Sequence, residues 1–445
     1  MRRGQCLGAS VTRGRPRPMT PITIPGNILK NPGVLALAFG ALLMAASFAF
    51  AVPARAQDFG ALAFSGRLQV QYVNVATSGD NDSGGGAAAA ARSRVSHAFL
   101  RRFYFGAKAG LDANWSVDVN YDFASTGSWD RAFINWSGKI YGQPFSFDIG
   151  LRKVNFSYDE FTSSGSIKAI ERSGVNRYFV EDANGRRLGA GSYRIGLFAT
   201  YNPAAFAGKA AGFFAGGALT NAERQSANSE VSETFNNSTT NTLNKPAAWA
   251  NAGYCGKTKS GSVNWLLGVA GAFLPGMGGT GRTANSFSNP GQNILQGDLY
   301  ADVTAGNCNI VAEYLVAKVD KGVSATATIP AKDATVSGFW IQPSCKITGK
   351  WEVVARYSHT DTGGRGIRVS DGVRSANAAA SATAKVLHEY YLGANYYIKG
   401  NDLKLQFGCI GGQTSGALPG NGATIIGQPN KETASGIRAQ MQVSF

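Results

Sequence analysis

The residues best equipped for chemistry lie close together. Between Arg152 and Ala190 the chain places seven basic residues: Arg152, Lys153, Lys168, Arg172, Arg177, Arg186 and Arg187. Five carboxylates share the stretch: Asp159, Glu160, Glu171, Glu181 and Asp182. Guanidinium and ammonium groups in a narrow, poorly hydrated passage donate to phosphate or carboxylate oxygens. The near balance of charge predicts two roles, some cations holding the segment in shape through ion pairs and others meeting a solute. Catalytic arrangements are absent from the pattern. His97, His359 and His388 stand apart from any serine and carboxylate that would complete a nucleophilic site. Cys255, Cys308, Cys345 and Cys409 are widely spaced with no CxxC, so no metal site is expected. The run "SGGGAAAAA" lacks the following Lys-Ser/Thr and helix of a phosphate cradle. No enzyme activity and no cofactor are predicted.

The elements that must position these cations are read from period-two alternation. "NWSVDVNYDFA" sets Trp115, Val117, Val119, Tyr121 and Phe123 against Ser116, Asp118, Asn120 and Asp122. "FSFDIGLR", "KWEVVARYS" and "DLKLQFG" repeat the pattern, as does the final "IRAQMQVSF". Such alternation indicates antiparallel strands. Short connections such as "GLDANW", "IYGQPF" and "ITGK" alternate with long ones, which is the plan of a transmembrane β-barrel. The fold class is therefore all-β, an antiparallel barrel of about sixteen strands. A soluble β-sandwich would alternate in the same way, but the segments are too many for one. Aromatics such as Trp351 and Tyr357 also edge the apolar face, as an interfacial girdle should.

Within that barrel the 37-residue connection Val154–Ala190 follows the fifth strand. A loop of that length suggests function, and it is predicted to fold into the lumen and narrow it. By parity Arg67, Arg102, Lys108, Arg131, Arg194, Arg356, Lys404 and Arg438 point inward with Arg152. Asp118, Asp122, Asp148, Glu313, Glu352 and Glu389 share that face, leaving a mild positive bias. A charge ring of this kind sets selectivity in a channel. In the last strand Ile437, Met441, Val443 and Phe445 are expected to face lipid, and Arg438, Gln440, Gln442 and Ser444 to line water. Cys308 and Cys345 open and close successive strands near one rim; they could pair, although lone thiols are the expectation.

Residues 1–56 read as a secretory signal peptide, with cleavage expected after Ala56 and the barrel domain spanning 57–445. A basic start precedes "VLALAFGALLMAASFAFAV", and Met19 is a second candidate start. Removing the seven basic residues of this segment leaves 36 Lys and Arg against 27 Asp and Glu. Much of the excess basicity thus belongs to targeting, and nucleic acid is not an expected partner.

"HAFLRRFYFGAKAGLDANWSVDVNYDFA", "AFINWSG", "FSFDIGLRKVNFSYDEFTSSGSIKAIER" and "GRRLGAG" together resemble the phosphate-selective porin O and P family of Gram-negative outer membranes. The resemblance is closest over Phe99–Gly191. It implies a sixteen-stranded homotrimeric channel in outer-membrane lipid, an inward third loop, and a basic pore for phosphate or polyphosphate. Phe445 is similar to the terminal aromatic that the barrel-assembly machinery reads. The expected function is a water-filled channel for passive diffusion of small anionic or neutral solutes, with mild anion preference. The alternative is a structural or adhesive barrel whose surface loops carry the function.

Overall fold

The computed structural model describes residues 62–79, 93–124, 128–181, 186–222, 246–277, 292–323, 330–374, 383–418 and 431–445. The expected signal peptide, the "SGGGAAAAA" run and Asp182 lie outside the described residues.

Sixteen strands form. They are β1 (Leu62–Gly79), β2 (Ser93–Gly110), β3 (Trp115–Asp122), β4 (Ser128–Ile140), β5 (Gln143–Lys153) and β6 (Tyr193–Tyr201). β7 (Gly212–Asn221), β8 (Pro246–Lys257), β9 (Val263–Leu274), β10 (Ile294–Ala305) and β11 (Cys308–Val323) follow. β12 (Lys332–Lys346), β13 (Trp351–Asp361), β14 (Ala384–Lys399), β15 (Leu403–Ala417) and β16 (Glu432–Ser444) complete the set. Each pairs antiparallel with its chain neighbours, and β1 pairs with β16, so the sheet closes into a barrel. Closure leaves no unpaired sheet edge, which is the condition for crossing a hydrocarbon layer as strands.

The alternation predicts the faces. Large apolar side chains stand exposed on the outside along every wall, among them Ile149, Leu197, Leu267, Val269, Leu299 and Leu392. Rings cluster there as well: Phe64 stacks on Phe105, and Tyr121 meets Trp129 edge-on. Ile437 and Met441 are half exposed, while Arg438, Gln440 and Gln442 are buried inside. At the seam Gly66 and Phe445 exchange backbone hydrogen bonds. The Phe445 ring occupies the space a side chain at residue 66 would need; a Cβ there would lie 2.3 Å from it.

Two expectations are corrected. Cys308 and Cys345 are register partners on β11 and β12 and form a disulfide, because antiparallel pairing sets them opposite each other at the end of the barrel that carries the short turns. Cys255 and Cys409 are free. Gln440 and Gln442 do not line open water. They belong to an amide ladder in which Gln69 donates to Gln442, Gln71 to Gln440, Gln440 to Gln406 and Gln406 to Asn395. This ladder lies under the third loop.

Ile437→Lys, near the middle of β16 on the outer face, is expected to destabilise the barrel by about 2–4 kcal/mol, and Met441→Lys, nearer the rim, by less. Urea unfolding in detergent or lipid measures both, and equal losses would contradict the depth ordering. Non-reducing peptide mapping is expected to recover Cys308 linked to Cys345.

Candidate functional site: a passage between the third loop and the basic wall

The third loop leaves β5 and contains two short helices, α1 (Tyr158–Phe161) and α2 (Gly174–Val180). Ser173 caps α2 by accepting from the Asn176 amide. A chain crossing the inside of a barrel carries backbone groups with no sheet to satisfy them. The inner wall supplies the partners. Glu313 on β11 accepts from the Tyr158 and Asp159 amides, and Glu389 on β14 from the Gly174 amide at 2.5 Å. Lys404 donates to the Gly165 and Ile167 carbonyls, each at 3.0 Å. Asn395 and Gln406 donate to the Lys168 carbonyl, and Gln296 to that of Ala190. Glycine at 174 permits the Glu389 contact, since a Cβ there would lie 2.8 Å from the carboxylate oxygen.

Most cations of the loop are consumed in this scaffold. Arg172 is buried, donates to the carbonyls of Asp159, Glu160 and Thr162, and pairs with Glu160 at 3.3 Å. Arg177 pairs with Glu181 and donates to the Ser370 carbonyl. Arg187 lies 3.7 Å from both Glu181 and Asp371, and the Arg186 carbonyl accepts from Arg365. Here the loop meets the helix Val369–Val373 of the connection between β13 and β14, where Arg374 pairs with Glu181. Burial opposes ionisation of Glu160, but Arg172 and Lys153 outweigh it and hold the carboxyl at about 2. Glu181 is likewise held down against burial, by Arg374 and Arg177.

Wall cations divide in the same way. Arg356 is buried against Glu389 at 2.6 Å and donates to the Glu171 carbonyl. Arg438 donates to the Val373 carbonyl and lies 4.0 Å from Glu171. Arg102 is buried and donates to Gln69, and Arg194 is buried among the carbonyls of Gly189, Gly191 and Tyr193. Lys108 is exposed on the inner parity of β2, in register with Asp118.

What stays open is a cavity of about 450 Å³ between the loop and the β1–β6 wall. Arg67, Arg131, Arg152 and Lys153 line it, with Asp130 the one carboxylate among its lining residues. A second cavity, of about 580 Å³, lies beside the short turns and is lined by Lys168, Lys346, Lys350 and Glu352. Lys168 pairs there with Glu352 at 2.9 Å. Thus Arg67, Arg131, Arg152 and Lys168 of the predicted set reach open space. Arg102, Arg172, Arg177, Arg356, Lys404 and Arg438 are built into the wall and loop, and Arg186 and Arg187 stand where the loop exits.

Sequence parity missed four contributors. Arg101 is an extra residue at a β-bulge between β1 and β2, so it turns inward beside Arg102 and pairs with Glu171 at 2.6 Å. Lys153 ends β5 on the apolar parity, yet it bonds Glu160 and lies over the Tyr193 ring. Lys346 and Lys350 flank a turn, where strand parity no longer applies. The adjacent basic pair in "LRRF" was the one available sign of the bulge.

A closed barrel with a loop-narrowed, water-accessible and mostly basic passage is a diffusion channel. The phosphate-selective porin O and P model matches residues 87–445, and the chain belongs to that family of outer-membrane porins. The anion-selective porin from Comamonas acidovorans shares the fold at 10% identity and a TM-score of 0.51, covering 86% of this chain and 99% of that one. Pseudomonas putida OprB does so at 12% identity and 0.52, covering 86% and 94%. No curated relative matches the chain.

Glu389→Gln leaves Arg356 buried without its counter-charge, and losing one partner of a buried pair costs about 3–5 kcal/mol. The variant is expected to show a noisier open channel in planar bilayers; a record as quiet as wild type would refute the anchoring role. The Glu160 carboxylate, held low in the folded state, stabilises the loop in full above about pH 4.5, and that contribution disappears as pH falls towards 2. Channel noise is therefore expected to stay flat from neutral pH to about 4.5 and to rise below it.

Proposed function

We propose that the channel passes small hydrophilic solutes with a preference for anions. One observation carries this reading. The residues lining the two open cavities include seven cations and two carboxylates. Several of these cations are paired, so the excess acts as a moderate positive potential rather than a bare charge ring. Such a potential raises the local concentration of anions and lowers that of cations. The third loop covers Asp298, Glu313 and Glu389 and also Arg356, Lys404 and Arg438, all of them buried, so the bias is set by the charges left at the cavities. Family membership supports phosphate among the solutes. Export directed by residues 1–56, insertion read from Phe445, and assembly as a homotrimer complete the proposal.

Reversal potential in a KCl gradient tests the selectivity. Chloride is expected to be the more permeant ion, and Arg67→Glu with Arg131→Glu is expected to reverse or abolish the preference. A cation-selective wild type would overturn the reading. Liposomes that fail to swell in small sugars would instead favour a barrel that acts only as an anchor for its loops.

A further inference from the structure

The cavity between the loop and the β1–β6 wall is not lined as a cage for a small inorganic ion. Alongside its cations stand the rings of Tyr104, Phe133, Phe161, Tyr193 and Phe206. Phe133 projects from β4 on the inner parity, and Phe161 belongs to α1 of the loop, so the rings face the passage from two sides. None of the five is fully buried. Phosphate is hydrated on every side and would lose water against these rings without replacement hydrogen bonds. A solute with one charged end and one flat apolar end would lose nothing.

The four cations are not equivalent. Arg131 pairs with Asp118 at 2.7 Å, Arg152 with Asp148, and Lys153 with Glu160 at 2.9 Å. Among the described residues Arg67 has no carboxylate partner. Its guanidinium donates to Ser164 Oγ at 2.8 Å and more distantly to Ser163 and Ser444. It rests over Gly165, where a Cβ would come 2.6 Å from its Cζ, and lies 5.9 Å from the Tyr104 ring centre. The glycine and the hydroxyls fix the fork with no carboxylate in direct contact, Asp130 of the same cavity acting on it only from a distance. A fixed, unpaired guanidinium beside aromatic faces matches a carboxylate attached to a ring.

We infer that this passage is a binding site for arene carboxylates of about the size of benzoate, with the carboxylate on Arg67 and the ring among Tyr104, Phe133 and Phe161. This rests on the anion-channel reading and specifies its solute class. A site of this kind holds a solute long enough to slow chloride behind it, so affinity is readable as block of chloride current.

The test is a planar-bilayer titration of the full channel with sodium benzoate, acetate and phosphate. Benzoate is expected to halve the chloride current at a concentration about tenfold below that of acetate, the worth of one to two ring contacts. Phe133→Ala is expected to cut that benzoate advantage by about three- to tenfold. Arg67→Gln is expected to weaken block by benzoate and acetate alike. Should Phe133→Ala fail to assemble, Phe133→Leu keeps the bulk, removes the ring, and is held to the same criterion. Equal block by benzoate and acetate, tighter block by phosphate, or an unchanged benzoate advantage in the Phe133 variant would each overturn the inference. In an anion-selective channel those outcomes sink the solute class alone; a cation-selective channel sinks the parent reading as well.

Discussion

A backbone that leaves the sheet and enters the lumen must find hydrogen bonds away from any ladder. In this barrel it finds them on one wall. Lys404, Gln406, Asn395, Arg356 and Glu389 reach from β13–β15, and Glu313 and Gln296 from β10 and β11. Every one of these side chains points inward by strand parity, and each satisfies a loop carbonyl or amide that would otherwise be buried unpaired. The loop therefore lies against β10–β16 and β1, and the free passage lies against β1–β6. The position of the pore follows from where the partners are.

That asymmetry decides which charges a solute meets. The lumen face has acidic and basic residues on both halves. Once the loop is seated, Glu313, Glu389, Arg356, Lys404 and Arg438 are buried. What remains in contact with water is chiefly Arg67, Arg131, Arg152, Lys153 and Asp130 on one side and a lysine cluster near the short turns on the other. Selectivity thus depends less on the sum of inward charge than on which part of it the loop hides. The same ion pairs make the constriction stiff: Glu171 is shared by Arg101 and Arg438, and Glu181 by Arg177, Arg187 and Arg374. A carboxylate with several guanidinium partners keeps one geometry, because moving any partner leaves a buried charge uncompensated.

Serine and glycine in "SSGSIKAIERSG" complete the arrangement. Gly165 lets the Arg67 guanidinium rest on the loop backbone, and Gly174 lets the Glu389 carboxylate reach an amide. Ser164 accepts from Arg67, and Ser173 caps α2. Small residues are needed where wall and loop approach within hydrogen-bonding distance, and a methyl group at either glycine would separate them.

By itself the sequence determined the barrel, the count of sixteen strands, the side of each strand that faces lipid, and the presence of a long third loop. Period two is a local property, and closure follows once so many such segments have alternating short and long connections. Ile437 and Arg438 could be assigned to opposite faces from their neighbours alone. Tertiary structure decided the remainder. Whether an inward arginine meets solute or a loop carbonyl depends on contacts between residues far apart in the chain. Arg67 and Ser164, and Arg356 and Glu171, are such pairs. The disulfide between Cys308 and Cys345 was set by strand register, and the inward turn of Arg101 by a bulge. Alternation gives direction, but accessibility is a property of everything else that enters the same space. For that physical reason the faces were legible in the sequence and the pore was not.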